Sequence, residues 1–224
     1  MKFVRLPSGS SAAKCQGMKP LFSILTVCAL VGFSAVAADE ELKPLFNGKD
    51  LTGFKTEGNW VVEEDGVIAI KPREGEKGWK RYGSYLWAET QYGDFVAEVE
   101  YKHPKGGNSG VFFRCSNLAD PVTDGLEVQI LDSHGKAEPL GHHDCGGVIR
   151  TAGPSKNMAK PAGEWNHMKI TAKGTKLQVE LNGEQIIDID LAETESKDKP
   201  LKGYFGLQDH GQLMWFRNIK IKAL

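Results

Sequence analysis

Apolar and polar residues alternate along much of this chain, and that alternation is typical of half-buried β-strands. In the segment 95–101 the odd positions are apolar, whereas positions 98 and 100 are glutamates. A half-exposed antiparallel sheet usually turns its polar row to water, so we expect Glu98 and Glu100 to face solvent. Comparable strands are predicted over 109–115, 125–132, 203–208 and 213–221.

Two turn dipeptides predict β-hairpins. Asp65-Gly66 lies in the middle of the segment 59–70, and Asn182-Gly183 separates 176–181 from 185–189. Both dipeptides favour the tight turns that join antiparallel strands. No helical periodicity of useful length is present. Many short strands between Gly, Pro, Asn and Asp turns therefore predict an all-β fold, a β-sandwich or jelly roll of antiparallel sheets.

Residues 1–37 predict a secretory signal peptide. Two lysines precede the apolar run 21–33, and small residues follow it up to Ala37. The run is shorter than the roughly 20 residues that span a bilayer, which favours cleavage near Ala37 over an uncut anchor. Translation could begin at Met1 or at Met18, which would give a more compact leader.

Cleavage would leave residues 38–224 as one exported domain, periplasmic or extracellular, without a membrane span. Residues 1–37 hold four of the 28 Lys and Arg residues and none of the 29 acids, so the mature chain is acidic. No nucleic-acid partner is expected, because such a partner needs a clustered basic surface. Only Cys115 and Cys145 remain after cleavage, and an oxidising compartment would allow them to pair.

The strand 125–132 carries an acid and an amide on one face. Val128 and Ile130 point one way, while Glu127 and Gln129 point the other. A solvated face and a polar binding cleft both explain this arrangement. Gln129 and Arg114 fit the solvated face less well, and their types suit sugar hydroxyls or a carbonyl. Aromatic rings that could cover the C–H faces of a sugar are Trp60, Trp79, Tyr82, Trp87 and Trp215.

Two clusters combine His with Asp or Cys, namely 132–134 with 141–145, and 208–211. These residue types are metal ligands, although neither spacing matches a standard zinc pattern. An exposed loop and a polar turn are the alternative interpretations. The long segment 133–163 is predicted to be a loop that is either functional or disordered. A divalent metal is a candidate cofactor, with the candidate ligands Asp132, His134, Asp209 and His210.

An ordinary glycosidase mechanism with two carboxylates is disfavoured. Such enzymes place two acids ~5–9.5 Å apart across the scissile bond. On a regular strand Glu127 and Asp132 would lie about 16 Å apart and on opposite faces. Gln129 occupies the position between them where a catalytic acid would be needed.

Seven segments occur in an order that is specific, although each segment is weak alone. They are LFNGKDLTGF at 45–54, YGDF at 92–95, GGNSGVFFR at 106–114, EVQILD at 127–132, PAGEWN at 161–166, GLQDHG at 206–211 and FRNIKIK at 216–222. In this order they resemble the 3-keto-disaccharide hydrolase family, which implies a concanavalin A-like jelly roll. The segment CGGVIR at 145–150 departs from the commoner family pattern.

The resemblance implies an enzyme for sugars whose C3 hydroxyl is already oxidised to a ketone. The ketone acidifies the C2 proton, so one base can remove it while the C1 substituent leaves, and water then adds. A divalent metal is a candidate electrophile at the carbonyl oxygen. We hypothesise that the base is Glu127 or a histidine of the 142–143 pair and that Gln129 helps to hold the carbonyl, so the candidate catalytic residues are Glu127, His143 and Gln129. The implied substrate-binding residues are Asn108, Arg114, Gln208, His142 and Trp60.

Two other classes of protein stay open at this point. The same polar face would serve a non-catalytic, lectin-like carbohydrate-binding module. A structural or cell-surface interaction domain would bind no sugar at all. Binding of a 3-keto disaccharide without product would distinguish the module from the enzyme.

Overall fold

The computed structural model describes residues 1–3, 9 and 41–224, and its regular structure is almost entirely β. Its strands are β1 (Lys43–Pro44), β2 (Phe54–Lys55), β3 (Trp60–Glu63), β4 (Val67–Ile70), β5 (Leu86–Tyr92), β6 (Phe95–Lys102), β7 (Asn108–Cys115), β8 (Leu126–Leu131), β9 (Asn166–Lys173), β10 (Lys176–Leu181), β11 (Glu184–Asp190), β12 (Gly203–Leu207) and β13 (Met214–Ala223). The helical elements are α1 (Pro121–Asp124) and the 3₁₀ turns Glu64–Gly66, Tyr82–Ser84 and Leu191–Glu193.

The strands form two antiparallel sheets. The eight-stranded sheet has the order β11-β10-β9-β6-β13-β4-β3, with β1 paired to β13, and the five-stranded sheet has the order β2-β5-β12-β7-β8. Most neighbours are distant in sequence, as crossing connections between two packed sheets require. The predicted jelly-roll β-sandwich of two antiparallel sheets is confirmed.

The hydrophobic core lies between the two sheets. Strand β6 contributes its odd-numbered residues from Phe95 to Tyr101, all buried, and β8 contributes Val128 and Ile130. The predicted polar row of β6 faces away from this core, where Glu100 pairs with Arg217 at 2.7 Å. The alternation read from the sequence is therefore correct for both strands.

The two predicted hairpins are present as β3–β4 and β10–β11. Asp65 and Asn182 lie in their turns with φ of 59° and 54°, the left-handed region that such turns require. Strands β5 and β9 were not predicted, although β9 alternates between buried and half-exposed residues as cleanly as β6 does.

At the β8 edge of the five-stranded sheet, the loop between β8 and β9 pairs with the strand through backbone hydrogen bonds. Gly146 N donates to Gln129 O and Gln129 N donates to Gly147 O, both at 2.8 Å, and Ile149 N donates to Glu127 O at 3.0 Å. This pairing satisfies backbone groups that an exposed edge would leave open. It also places residues 146–149, in the middle of the loop, alongside the strand that carries Glu127.

The apolar run 21–33 and the predicted cleavage site at Ala37 lie outside the described residues. Among the residues that are described, no helix is both long enough and apolar enough to cross a membrane.

Candidate functional site

A pocket opens on the outer face of the five-stranded sheet, on the side away from the core. Its volume is about 330 Å³, at the small end of the ~300–1,000 Å³ range of small-molecule sites. Its lining residues are Trp79, Asn108, Val122, Glu127, Gln129, His143, Ile149, Arg150, Gln208 and His210. Strands β7 and β8, the end of β12 and the loop after β8 therefore meet at one site.

Glu127 is almost entirely buried at this site, with 7% of its surface exposed. Its Oε1 accepts a hydrogen bond from Gln208 Nε2 at 3.1 Å. The space for the carboxyl group exists because residue 110, on the neighbouring strand β7, is a glycine. A Cβ atom on Gly110 would lie 2.1 Å from Glu127 Oε1, so any other residue would displace the acid.

Burial raises the pKa of Glu127 from its ordinary value of 4.5 to about 8. The cause is desolvation, which disfavours the charged carboxylate in a site with little water. A carboxyl group in this condition exchanges a proton near neutral pH, as a general acid or base must. Perturbed groups of this kind in a cleft mark candidate active sites.

The amides around Glu127 hold one another in place. Gln129 Nε2 donates to Asn108 Oδ1 at 3.4 Å, and Asn108 N donates to Gln212 Oε1 at 2.7 Å. The backbone of Gln208 is tied to β7, because Gln208 N donates to Gly110 O at 2.9 Å. Both lone pairs and both N–H groups of such amides suit sugar hydroxyls.

The adjacent histidines of the loop have different surroundings. Their rings lie 4.2 Å apart between centroids, and only His143 lines the pocket. His142 accepts a hydrogen bond at Nδ1 from Arg150 N at 3.1 Å and so fixes the backbone of the loop. Desolvation, with the neighbouring His142 and Arg150, lowers the pKa of His143 and favours a neutral imidazole.

His210 also lines the pocket, and burial lowers its pKa. Trp79 forms part of the wall and is the one candidate aromatic platform of the sequence that reaches this pocket. Its carbonyl oxygen accepts a hydrogen bond from the hydroxyl of the buried Tyr85 at 2.7 Å. This contact fixes the backbone of the segment that carries Trp79.

Arg114 is not part of the pocket, which corrects its interpretation as a sugar ligand. Its guanidinium is fully buried and donates to Gly93 O at 3.0 Å, to Gly174 O at 2.8 Å and to Asp94 Oδ1 at 3.1 Å. Arg114 has φ of 54°, and the register between β7 and β12 shifts at this point. The extra residue of this bulge turns the side chain away from the row of Glu127.

Trp60 is likewise a core residue and not a substrate-binding one. It is 6% exposed and packs on Phe216 with ring centroids 5.7 Å apart. Its indole N–H donates to Ser84 O at 2.7 Å, which satisfies the only polar atom of the side chain.

The four candidate metal ligands do not converge. Asp132 accepts from Gly106 N at 2.8 Å, and His134 Nδ1 contacts Ala159 O at 2.8 Å. Asp209 is buried beside Arg81, 3.3 Å away, and of the four only His210 lines the pocket. Within residues 41–224 no three His, Cys, Asp or Glu side chains are arranged to hold a metal. This set of residues therefore does not fit a metal site.

Cys115 and Cys145, which the sequence allowed to pair, are both free and buried. Cys145 Sγ lies 2.9 Å from the hydroxyl of Tyr101, inside the core. Cys115 belongs to the aromatic cluster on the outer side of the five-stranded sheet, so the two thiols have separate surroundings.

Arg150, Ile149, Val122 and the spacing role of Gly110 were not predicted as parts of the site. Arg150 and Ile149 reach the pocket because the loop pairs with β8, a long-range contact without a local pattern. Gly110 had a weak signal, since a glycine inside a strand often marks a close approach of another group.

Comparison with known proteins bears on this site. The chain is 30% identical to the 3-keto-disaccharide hydrolase of Bacteroides thetaiotaomicron, over 80% of this chain and 77% of that one. A candidate glycosyl hydrolase from Parabacteroides distasonis superposes with a TM-score of 0.70 and 30% identity, over 83% of this chain and all of that one. A carbohydrate binding module from Bacillus subtilis, with a TM-score of 0.56, 19% identity and coverage of 77% and 96%, shares the fold alone.

The fold, the polar pocket and these relatives define a carbohydrate-active protein of the glycosyl hydrolase type. The model of one family, described as the 3-keto-alpha-glucoside-1,2-lyase-like domain, matches residues 41–222. The chain belongs to this family. The resemblance read from the seven sequence segments is therefore confirmed.

Proposed function

We propose that this protein cleaves 3-keto glycosides by removing the C2 proton, eliminating the C1 substituent and then adding water. The observation that carries the proposal is the isolated carboxyl group of Glu127. Among the described residues that line the pocket it is the only carboxylic acid, and its pKa is about 8. Ordinary glycoside hydrolysis needs two acids, whereas elimination next to a ketone needs one base.

The proposed reaction balances in two stages. Glu127 takes the C2 proton, and the electron pair of the C2–H bond moves toward the C3 carbonyl to give an enolate. The enolate collapses to a C1=C2 double bond while the C1–O bond breaks, and the leaving oxygen takes up the proton that Glu127 removed from C2, which returns Glu127 to its carboxylate form. Water then adds across C1=C2, with hydroxide at C1 and the proton at C2, so the net change is hydrolysis.

The remaining pocket residues have roles that follow from their chemistry. The guanidinium of Arg150 is a permanent cation at the pocket wall and would stabilise the enolate oxygen. Neutral His143 can donate a hydrogen bond to the same oxygen, or relay the proton from Glu127 to the leaving oxygen by accepting it at one ring nitrogen and giving one up from the other. Gln208 is a positioning residue: it donates to Oε1 of Glu127, which leaves Oε2 as the atom that takes the C2 proton.

The substitution Glu127→Gln tests the proposal. With a 3-keto disaccharide in deuterated water, the wild type should exchange the C2 proton and release the C1 substituent, and the variant should lose at least about 100-fold in rate. Glu100→Gln, on the opposite face of the sandwich, is the matched control. Sugar binding without product in the wild type would instead identify a carbohydrate-binding module. Unchanged turnover by Glu127→Gln would remove Glu127 from the mechanism.

The pKa of Glu127 also predicts the pH dependence. A base must be ionised to act, so kcat/KM should rise with pH and level off above pH 8, where the carboxyl group is deprotonated. A rate that falls through this range would contradict the role of Glu127 as the base.

We also propose export of the mature domain. The support is the sequence of residues 1–37 alone, with its basic start, short apolar run and small residues before Ala37. Cell fractionation with N-terminal sequencing of the exported form tests this, with a new N-terminus near residue 38 as the expected result.

A further inference from the structure

A second depression lies beside the pocket of Glu127 and has no role in the chemistry proposed above. Its volume is about 760 Å³, and it is open to solvent. Its lining residues are Gly141, His142, Arg150, Thr151, Ala152, Gly153, Glu193, Thr194 and Glu195. We name this depression the 193–195 groove.

The groove and the pocket meet at Arg150, which lines both, and the adjacent His142 and His143 line one each. A molecule that extends from the pocket past Arg150 therefore enters the groove. No residue of the pocket lining is shared with the neighbouring depression around Tyr82 and Trp87, which makes the groove the better continuation.

The floor of the groove is held in place by hydrogen bonds between the loop after β8 and the segment after β11. Thr151 Oγ1 lies 2.6 Å from Ser196 Oγ, and Ser196 N donates to Thr194 Oγ1 at 3.1 Å. Thr194 Oγ1 donates in turn to Leu191 O at 2.9 Å. These hydrogen bonds tie the two segments that form the groove to each other.

The chemistry of the lining identifies the ligand. The carboxylates of Glu193 and Glu195 are exposed acceptors, while Arg150 and His142 supply donors. This mixture suits a group with several hydroxyls. The lining contains no tryptophan, tyrosine or phenylalanine, so a flat aryl group would find no ring to stack on.

From these observations we infer that the 193–195 groove binds the leaving sugar of a 3-keto disaccharide, and that Glu193 and Glu195 determine the preference for it. The inference rests on the proposed function. The pocket, with its small volume, takes the 3-keto ring, and the groove takes the second ring on the other side of the bond that breaks. Glu193 and Glu195 then select disaccharides over glycosides with small apolar leaving groups.

The double variant Glu193→Ala/Glu195→Ala tests this assignment against two substrates. One is a 3-keto disaccharide, and the other is a nitrophenyl 3-keto glucoside whose leaving group has no sugar hydroxyls. Loss of hydrogen bonds to charged acceptors should lower kcat/KM for the disaccharide about tenfold or more. The value for the nitrophenyl glycoside should stay within about twofold, because the pocket is untouched. Glu64→Ala/Glu89→Ala, which removes two other exposed glutamates, is the charge-matched control.

The outcomes separate this inference from the proposed function. An equal loss on both substrates, or no loss on either, would overturn the groove as a leaving-group site while the proposed function stands. The same decrease in the control variant would also overturn it, because net charge would then be the cause. A wild type that turns over neither substrate would overturn the proposed function and the groove assignment with it.

Discussion

Glu127 should destabilise the fold at neutral pH, so Glu127→Gln should stabilise it. Burial raises the pKa of this carboxyl group from 4.5 to about 8. The folded protein therefore binds a proton that the unfolded chain releases above its ordinary pKa. At low pH the protonated Glu127 side chain does not destabilise the fold. As the pH rises from about 4.5 to about 8, ionisation of this group in the unfolded chain lowers the free energy of unfolding, and above pH 8 the decrease has reached its full size.

The size of the effect follows from the two pKa values. Each pH unit between them corresponds to about 1.4 kcal/mol, which gives on the order of 5 kcal/mol above pH 8 and about 3 kcal/mol at pH 7. An amide has nearly the same shape, does not ionise, and can still accept the hydrogen bond from Gln208. The variant should thus exceed the wild type in free energy of unfolding by about 1 kcal/mol at pH 5 and about 3 kcal/mol at pH 7.

Urea unfolding of both proteins at pH 5, 7 and 9 measures this difference. Glu100→Gln is the control, and it should change the free energy of unfolding in the opposite direction. Desolvation raises the pKa of Glu100, but hydrogen bonds from Asn218 and Arg217 outweigh it and the net pKa is lowered. That substitution should therefore destabilise the protein at neutral pH. If the stability difference between wild type and Glu127→Gln is the same at pH 5 and pH 9, the argument from burial fails.

Two further predictions concern residues that never touch the reacting atoms. Gly110→Ala should fold but push the Glu127 carboxyl away from Gln208, because the new methyl group would lie 2.1 Å from Oε1 of Glu127. The kcat of this variant should fall about 100-fold with little change in KM. A crystal structure of the variant with Glu127 unmoved would contradict this prediction. Arg114→Ala should lower the free energy of unfolding by about 2–3 kcal/mol, because the carbonyl groups of Gly93 and Gly174 lose their donor and Asp94 keeps only its hydrogen bond from Gly174 N. Sugar affinity of the folded variant, measured by calorimetry, should not change; a large loss would restore Arg114 as a ligand.

The sequence was sufficient to predict the sandwich, both hairpins and the polar face of β8, because these depend on local alternation and turn residues. It was insufficient for Arg114, since alternation assigns a face only while the ladder is regular, and a bulge interrupts β7 at that residue. It was insufficient for Trp60 as well, because a tryptophan on a strand suits a core as well as a sugar platform.

The assembly of the pocket was predicted only in part. Glu127, Gln129, Asn108, Gln208 and His143 do meet at one site. Arg150 could not be placed there, because its position depends on the pairing of an irregular loop with the edge of β8. The four residues considered as metal ligands were chosen for their chemical type, and their separate hydrogen bonds show that type alone does not predict proximity.

The loop on the edge of β8 is attached through its main chain, while its side chains form the boundary between the pocket and the 193–195 groove. At residue 149 the attachment uses the backbone N–H and does not depend on the side chain. Substitution of Ile149 would therefore change the pocket wall without exposing an unpaired strand edge to other copies of the protein. Position 149 is thus where directed evolution of the pocket would meet the least penalty in solubility, whereas Arg150 is constrained by its proposed role at the enolate oxygen.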